Sequence, residues 1–154
     1  MKTLATLIVL IITLTANAQI ESDLKMPKSD YSFGAIAGTS QGLGLAVRYW
    51  PSNFGVQVSF LPYYTEYTEL LSVGVSGLMK IREYKDADFY ISAGAHTLRN
   101  DYRNQLILGI EPSVNLYSKD GNFSIFGSFG YNYAKFPNSF SITPGGAIGF
   151  FINL

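Results

Sequence analysis

The sequence predicts an all-β protein, an eight-stranded antiparallel up-and-down transmembrane β-barrel. Eight runs along the chain alternate apolar with small or polar residues at period two, the repeat of a β-strand with two different faces. Charged residues make up 14%, aromatic residues 15%, and there are 15 glycines. Such a composition suits a barrel whose outer wall meets lipid better than a protein surface in water.

The amino-terminal residues predict export. Lys2 precedes an apolar run from Leu4 to Leu14, and an A-x-A site ends at Ala18, which is the pattern of a secretory signal peptide. The apolar run is too short for a membrane-spanning helix. The predicted division is a signal peptide at 1–18, a periplasmic leader at 19–30 and the barrel domain at 31–154.

Composition excludes several classes of function. The formal net charge is zero, so there is no basic excess for nucleic acid. With no cysteine, the exported chain has neither disulfides nor thiolate metal sites. We find no metal-ligand spacing, phosphate-binding glycine loop or dinucleotide fingerprint, and therefore predict no cofactor.

The first three runs are short and bounded by turns. In the first, tyrosine, phenylalanine and alanine alternate with serine and glycine, although Ile36 falls on the polar parity. The second places leucine, valine and tyrosine opposite glycine, alanine and Arg48, and stops at Pro51. The third sets phenylalanine and valine against Gly55, Gln57 and serine. The eight predicted runs are 31–39, 42–50, 54–64, 70–82, 88–98, 105–117, 122–133 and 145–154.

The fourth and fifth runs alternate over a longer distance. In the fourth, leucine, valine and isoleucine share one parity, while serine, glycine, Lys80 and Arg82 share the other. The fifth places Phe89 and Ile91 opposite Ser92 and His96. Two cations on the small-residue face indicate that this face is enclosed.

The sixth and seventh runs form the strongest predicted hairpin, and the eighth closes the barrel. Aliphatic residues from Leu106 to Leu116 lie opposite glycine, serine, asparagine and Glu111, and Asp120-Gly121 supplies the positive φ of a tight turn. Each run reaches about ten residues, enough for a tilted strand to cross a bilayer. Pro112 lies inside the sixth run, so we expect a β-bulge there.

The face occupied by the charges decides the orientation of the barrel. A soluble barrel would place charges outside, whereas here they share the face rich in glycine, serine and alanine, which predicts a narrow polar lumen and an apolar outer wall. The inward charges number three cations to one carboxylate, an imbalance that water molecules or Glu83 near the rim would relieve. The predicted lumen network is Arg48, Gln57, Lys80, Arg82, Glu111 and Asn115.

Aromatic residues collect toward the ends of the runs and predict two girdles at the membrane interfaces. The predicted girdle residues are Tyr49, Trp50, Phe54, Tyr63, Tyr64, Tyr84, Phe89, Tyr117, Phe123, Tyr131 and Tyr133, with Tyr67 and Tyr102 in loops. The loops near 39–41, 65–69, 99–104 and 134–144 are expected to face outside. We expect contact with outer-membrane lipid and lipopolysaccharide, and an extracellular ligand is a candidate partner at 65–69, 99–104 and 134–144.

The chain resembles the small eight-stranded outer-membrane barrels of the OmpA/OmpX type in Gram-negative bacteria. Strand architecture over nearly all of 31–154 carries the resemblance, together with RYWPSNFGVQVSF at 48–60 and SKDGNFSIFGSFGYNY at 118–133. It implies an outer-membrane location, dependence on a barrel-insertion machinery, and structural, adhesion or resistance roles. Many members end in phenylalanine, whereas this chain ends in Leu154.

The sequence favours a structural or surface-interaction protein over an enzyme. His96 is the single histidine. The lipid A-modifying enzymes among the resembling barrels use histidine with serine and an acid, but no serine stands two residues beyond His96, so none of their catalytic residues carries over. The alternatives are a soluble periplasmic lipocalin-like barrel for a small apolar ligand, a lipid A-modifying enzyme, or a narrow porin-like pore.

Overall fold

Eight consecutive antiparallel strands close on themselves in the computed structural model, which describes residues 30–65, 69–100, 103–136 and 139–154. The predicted signal peptide, the leader before Asp30, Tyr67 and Tyr102 lie outside the described residues. The strands are β1 (Tyr31–Gly38), β2 (Leu43–Tyr49), β3 (Phe54–Tyr64), β4 (Glu69–Glu83), β5 (Ala87–Asn100), β6 (Arg103–Tyr117), β7 (Phe123–Phe136) and β8 (Ser139–Asn153).

Each strand pairs with its sequence neighbours, and β1 pairs with β8 to complete the ring. The closing register runs from Ser32 opposite Asn153 to Gly38 opposite Ala147. The predicted eight-stranded antiparallel barrel is therefore confirmed. In the described ranges, no helix is long and apolar enough to cross a membrane.

The two faces of the wall differ in exposure. Leu108 and Phe129 point outward with 42% and 65% of their surface exposed, whereas Arg48 is 1% exposed in the lumen. Ile36, which breaks the alternation in β1, faces the lumen and packs in a buried cluster with Leu78 and other side chains. The single irregular position of the first run thus contributes to the interior.

The wall has unequal height. β1 has 8 residues and β2 has 7, while β4 and β6 have 15 each. The loops expected at 99–104 and 134–144 are mostly strand, since β5 and β6 extend to Asn100 and from Arg103, and β7 and β8 pair through Phe136 and Ser139. Their sequence lacks a clean alternation, but backbone pairing continues without it.

The barrel has two distinguishable ends. The terminal end carries Asp30, Leu154 and the connection that contains Asp120. The extended end is the opposite one, where β4 to β8 rise above β1 and β2. The turn between β1 and β2 lies at neither rim, because Ser40 and Gln41 are each 1% exposed inside the barrel. The expectation that 39–41 faces outside is therefore wrong.

The predicted turn between β6 and β7 is present at the terminal end. Gly121 has a φ of 74°, and its N–H donates to the Ser118 carbonyl at 2.9 Å. The Ser118 hydroxyl also donates to the Asp120 carboxylate. This hydrogen bond, with one from the Asn122 backbone, lowers the pKa of Asp120 below its usual value. The turn is thus held by its own side chains.

The β-bulge expected at Pro112 is not found in β6. The β6–β7 register is unchanged from Ile110 opposite Tyr131 to Ser113 opposite Ser128, with two unpaired positions between them, so Pro112 interrupts the ladder without a bulge. The shift in register lies in β4 instead, between Lys80 and Arg82.

Candidate functional site

Three groups of side chains inside the barrel are stacked along its axis. We call them the acidic layer, toward the extended end, the aromatic layer in the middle, and the ion-pair layer near the terminal end. The acidic layer is Ser40, Gln41, Ser92, Glu111 and Ser128; the aromatic layer is Arg48, Tyr90, Phe126 and Phe151; the ion-pair layer is Trp50, Lys80, Glu83, Asp88 and Tyr117.

The acidic layer surrounds one carboxylate with neutral donors. Glu111 is 0% exposed, and its Oε1 accepts from the Ser40 hydroxyl at 2.7 Å. Its Oε2 accepts from Gln41 Nε2 at 2.9 Å and from the Ser128 hydroxyl. A buried carboxylate is stable only when its oxygens are hydrogen-bonded, so the donors of the β1–β2 turn are part of its environment.

The turn enters the lumen because glycine clears its path. Gly38 N–H donates to the Gly42 carbonyl at 2.9 Å, and Gly42 has a φ of 89°, a value at which other residues are strained. A Cβ atom on Gly94 would lie 2.6 Å from the Ser40 carbonyl oxygen, and one on Gly109 would lie 2.4 Å from the Ser40 Cβ. Glycine in the opposite wall therefore makes room for the turn.

Two glutamine amides join the acidic layer to the aromatic layer. Gln57 Nε2 donates to Gln41 Oε1 at 3.3 Å, and Gln57 Oε1 accepts from Arg48 Nε at 2.6 Å. Arg48 also donates to Asn115 Oδ1 at 3.3 Å. Four of the six predicted network residues, Arg48, Gln57, Glu111 and Asn115, thus lie in a connected buried system.

The aromatic layer holds Arg48 between two rings. The guanidinium carbon lies 3.6 Å from the Phe151 ring centre and 4.4 Å from the Phe126 ring centre. Tyr90 stacks on Phe126 with 6.0 Å between centroids. Phe126 and Phe151 were not predicted in the network, because aromatic residues were expected on the outer wall. Both lie on the inward parity of their strands.

The ion-pair layer contains Glu83, which was expected near the rim, and Asp88, which was not predicted in the lumen. Lys80 Nζ lies 3.5 Å from a carboxylate oxygen of Asp88 and 3.5 Å from one of Glu83. The Tyr117 hydroxyl donates to Asp88 at 2.8 Å, and Lys80 lies 5.2 Å from the Trp50 ring centre. Asp88 is only 2% exposed. It was missed because it stands at the edge of a predicted run, next to a turn.

Arg82 departs from the predicted network. The register shift after Lys80 pairs Arg82 with Phe89, which is on the outward parity of β5, and its side chain is exposed. The guanidinium lies 5.1 Å from the Tyr84 ring centre. Ile81 is the extra residue of this bulge, so alternation counted through it assigns Arg82 to the wrong face.

His96 ties the in-folded turn to the wall. Its Nδ1 lies 2.7 Å from the Thr39 carbonyl oxygen, which can only accept, so Nδ1 carries the proton and Nε2 accepts from the Ser72 hydroxyl at 2.9 Å. The Leu43 N–H donates to the same hydroxyl at 3.0 Å. Ser72 is fully buried, and its hydroxyl joins His96 on β5 to the start of β2.

The predicted girdle residues divide into three groups. Trp50 and Tyr117 point into the ion-pair layer and are not on the outer wall. Tyr84 and Phe89 pack edge to face at the β4–β5 turn, 5.8 Å apart. The members that are exposed are Tyr49, Phe54, Tyr63, Tyr64, Phe123, Tyr131 and Tyr133. In the described part of the chain, no three His, Asp or Glu side chains are grouped to hold a metal.

Comparison with known proteins gives a likeness in fold. No family model matches the sequence, and no curated protein matches it. Among solved structures, the chain is similar to the N-terminal β-barrel domain of Pseudomonas aeruginosa OprF, with a TM-score of 0.56 and 11% identity over 85% of this chain and 100% of that domain. The predicted resemblance to small eight-stranded barrels is therefore confirmed as a likeness of fold.

Proposed function

We propose that this chain is an integral outer-membrane barrel with a filled, non-conducting lumen, and that it acts as a structural or surface-interaction protein without catalysis. The observation that carries the proposal is the β1–β2 turn, whose Ser40 and Gln41 hydrogen-bond to Glu111 inside the barrel. The turn and the layers beneath it occupy the space through which an ion would pass. An eight-stranded barrel is just wide enough for side chains to fill.

The outer wall supports the membrane location. Large apolar side chains are exposed around the barrel, among them Leu45 at 59%, Ile110 at 58% and Ile148 at 65%. A monomeric soluble protein rarely exposes a continuous apolar surface of this kind. The exposure also disfavours the lipocalin-like alternative, whose aliphatic side chains would line the interior.

Membrane location is tested by cell fractionation and gel mobility. The barrel should fractionate with the outer membrane, require detergent for extraction, and migrate faster on a gel unboiled than boiled. A protein that stays in the periplasmic supernatant without detergent would contradict the proposal.

Lumen closure is tested in planar bilayers. The wild-type barrel should give no conductance steps. Glu111→Leu removes the acceptor for Ser40 and Gln41, so the turn loses its attachment and steps should appear. Leu108→Ala, an outward change on the same strand, is the matched control and should remain silent. Steps in the wild type would favour the narrow pore.

The absence of catalysis is tested on lipid A. Mass spectrometry of lipid A from cells that overproduce the wild type or His96→Ala should give the same profile as cells without the protein. A modification present only with the wild type would favour the enzyme.

The long β4 to β8 walls then remain the candidate surface for an extracellular partner, including the predicted segments 65–69, 99–104 and 134–144.

A further inference from the structure

The short β1–β2 hairpin leaves a notch in the wall at the extended end. β2 pairs with β3 only as far as Leu45 opposite Phe60, and β1 pairs with β8 only as far as Gly38 opposite Ala147. Thr39 and Gly146 are joined by one backbone hydrogen bond and by two hydrogen bonds of the Thr39 hydroxyl. Beyond these positions, β3 continues to Tyr64 and β8 extends to Ser139. These two segments face each other across the notch, and in the described residues no strand pairs with the edges that face it.

Proline occupies both edges of this notch. On β8, the backbone groups of Leu154 and Gly146 form hydrogen bonds with the β1 side. Backbone groups alternate in direction along a strand, so those of even-numbered residues point to this side. Pro144 therefore lies on the notch edge. On β3, the Asn53 carbonyl accepts a hydrogen bond from β4, so the backbone groups of odd-numbered residues point to β4 and those of even-numbered residues point to β2. Pro62 therefore also lies on the notch edge. Proline has no N–H, so each edge has one fewer donor to satisfy.

The notch reaches the depth of the hydrocarbon if the barrel spans a bilayer. A tilted strand needs about 9–11 residues to cross, whereas β1 has 8 and β2 has 7. The hairpin therefore ends before the outer boundary of the apolar layer. An unsatisfied backbone donor in hydrocarbon costs several kcal/mol, which gives the two prolines a physical role.

An apolar groove of about 730 Å³ begins at this notch and crosses the outer wall. Ala35 and Ala37 on β1 lie between bulky side chains on β2 and β8, such as Leu45 and Phe150, which makes a depression. The groove extends from Leu61 on β3 to Phe123 on β7, and its lining consists of glycine and apolar residues. Four strand spacings give it a length of about 19 Å.

We propose that this groove holds one acyl chain of an outer-leaflet lipid, with the lipid headgroup at the outer rim of the notch, where β3 ends at Tyr64. The inference rests on the proposed membrane location. The groove is continuous with the lipid-facing wall, and its length is close to the hydrocarbon depth of one leaflet, about 15 Å. Tyr63 and Tyr64, half or more exposed beside the notch, lie where an interfacial phenol meets headgroups. A second barrel would present a broad convex wall, which a narrow depression does not fit.

The test compares two alanine positions with similar surroundings. Ala37, between Leu43 and Ile148, lies in the groove; Ala95, between Val75 and Leu108, lies on the wall formed by β4 to β6, and both are exposed. Ala37→Phe fills the groove, and Ala95→Phe adds the same bulk elsewhere. Each barrel is purified in mild detergent, and the lipid retained per chain is measured by mass spectrometry.

Wild type and Ala95→Phe should retain lipid, and Ala37→Phe should retain about tenfold less, which corresponds to about 1.4 kcal/mol of binding free energy. Equal retention in all three would overturn the inference. Loss of a dimer instead of lipid from Ala37→Phe would also overturn it and would identify a second copy as the occupant.

A second measurement keeps the test valid if Ala37→Phe fails to fold. Photoreactive benzoylphenylalanine at Leu45 should form a lipid adduct in washed, detergent-solubilised barrels, whereas the same group at Leu108 should react with detergent. Detergent adducts at both positions would overturn the inference. Gel mobility and fractionation are measured on the same samples, so a barrel outside the membrane would be recognised as failure of the proposed function.

Discussion

The acidic and aromatic layers each bury one formal charge, but they stabilise it by different means. Glu111 has no donor of its own and takes hydrogen bonds from Ser40 and Gln41, which come from the in-folded turn, and from Ser128 on β7. Arg48 carries its own donors and lies between the rings of Phe126 and Phe151. The carboxylate thus depends on a turn, whereas the guanidinium depends on side chains fixed to strands.

The layers should therefore respond differently to substitution. A wall residue is held by backbone pairing on both sides and retains its place when one lumen contact is lost. The turn has no such support beyond its ends, and its position depends on contacts to Glu111, Ser59 and His96. Substitutions in the acidic layer should therefore affect both stability and structure, while those in the other layers should affect stability alone.

The largest effect is expected for Glu111→Gln. The amide replaces an acceptor oxygen by a donor. On the Gln41 side this donor faces the Nε2 donor, and on the Ser40 or Ser128 side the hydroxyl has to change from donor to acceptor, so the free energy of unfolding should fall by about 2–4 kcal/mol. Urea unfolding in detergent micelles measures it, and hydrogen exchange should increase over 39–42. Unchanged stability would show that the acidic layer does not hold the turn.

Gln41→Ala should come next, with a loss of about 2–3 kcal/mol. Its Nε2 donates to Glu111 and to Ser92 at 2.9 and 3.0 Å, and alanine leaves the carboxylate with fewer donors. The double variant with Glu111→Gln should lose less than the sum of the single losses, because both act on one interaction. Additive losses would separate the glutamine from the carboxylate.

Arg48→Met should have a smaller effect, about 1–2 kcal/mol. Methionine keeps apolar contact with Phe126 and Phe151, and the desolvation cost of the buried cation is removed together with its hydrogen bonds. Exchange over 39–42 should stay as in the wild type. A loss larger than that of Glu111→Gln would reverse the comparison and make the aromatic layer the dominant one.

Lys80→Met should have the smallest effect, about 0.5–1 kcal/mol, because the buried Asp88 keeps the hydrogen bond from the Tyr117 hydroxyl, and the pair of Lys80 with Glu83 lies near the rim, where solvent screens it. Trp50 is the single tryptophan and lies 5.2 Å from Lys80, so its fluorescence should change in this variant. Arg82→Met, at the exposed side of the bulge, is the control and should leave the emission unchanged.

The fold followed from sequence because strand alternation records which side chains meet lipid and which meet the lumen. The same record places Arg48, Gln57, Glu111 and Asn115 inside. Predictions from alternation fail wherever a bulge shifts the parity or a strand segment has no apolar face. Arg82 follows a bulge that shifts parity by one residue, and the strand extensions beyond Leu98 and Tyr133 have no apolar face to identify them.

The position of the turn could not be predicted from local sequence. A short Thr39-Ser40-Gln41 connection reads as an exposed turn, since threonine, serine and glutamine are ordinary surface residues. Its burial depends on Gly94 and Gly109, which are more than fifty residues away, and on an acceptor at Glu111. Only the closed ring brings those positions to the turn.

The in-folded turn also constrains the order of assembly. Ser40 meets Glu111 across a sequence separation of 71 residues, and Thr39 meets Gly146 across 107. A turn that bonds to every side of the interior must be in place when the ends of the sheet meet, since a sealed ring offers it no sideways entry. Ring closure and interior packing are then one step. This step is expected to be slow, because its contacts join residues far apart in the sequence.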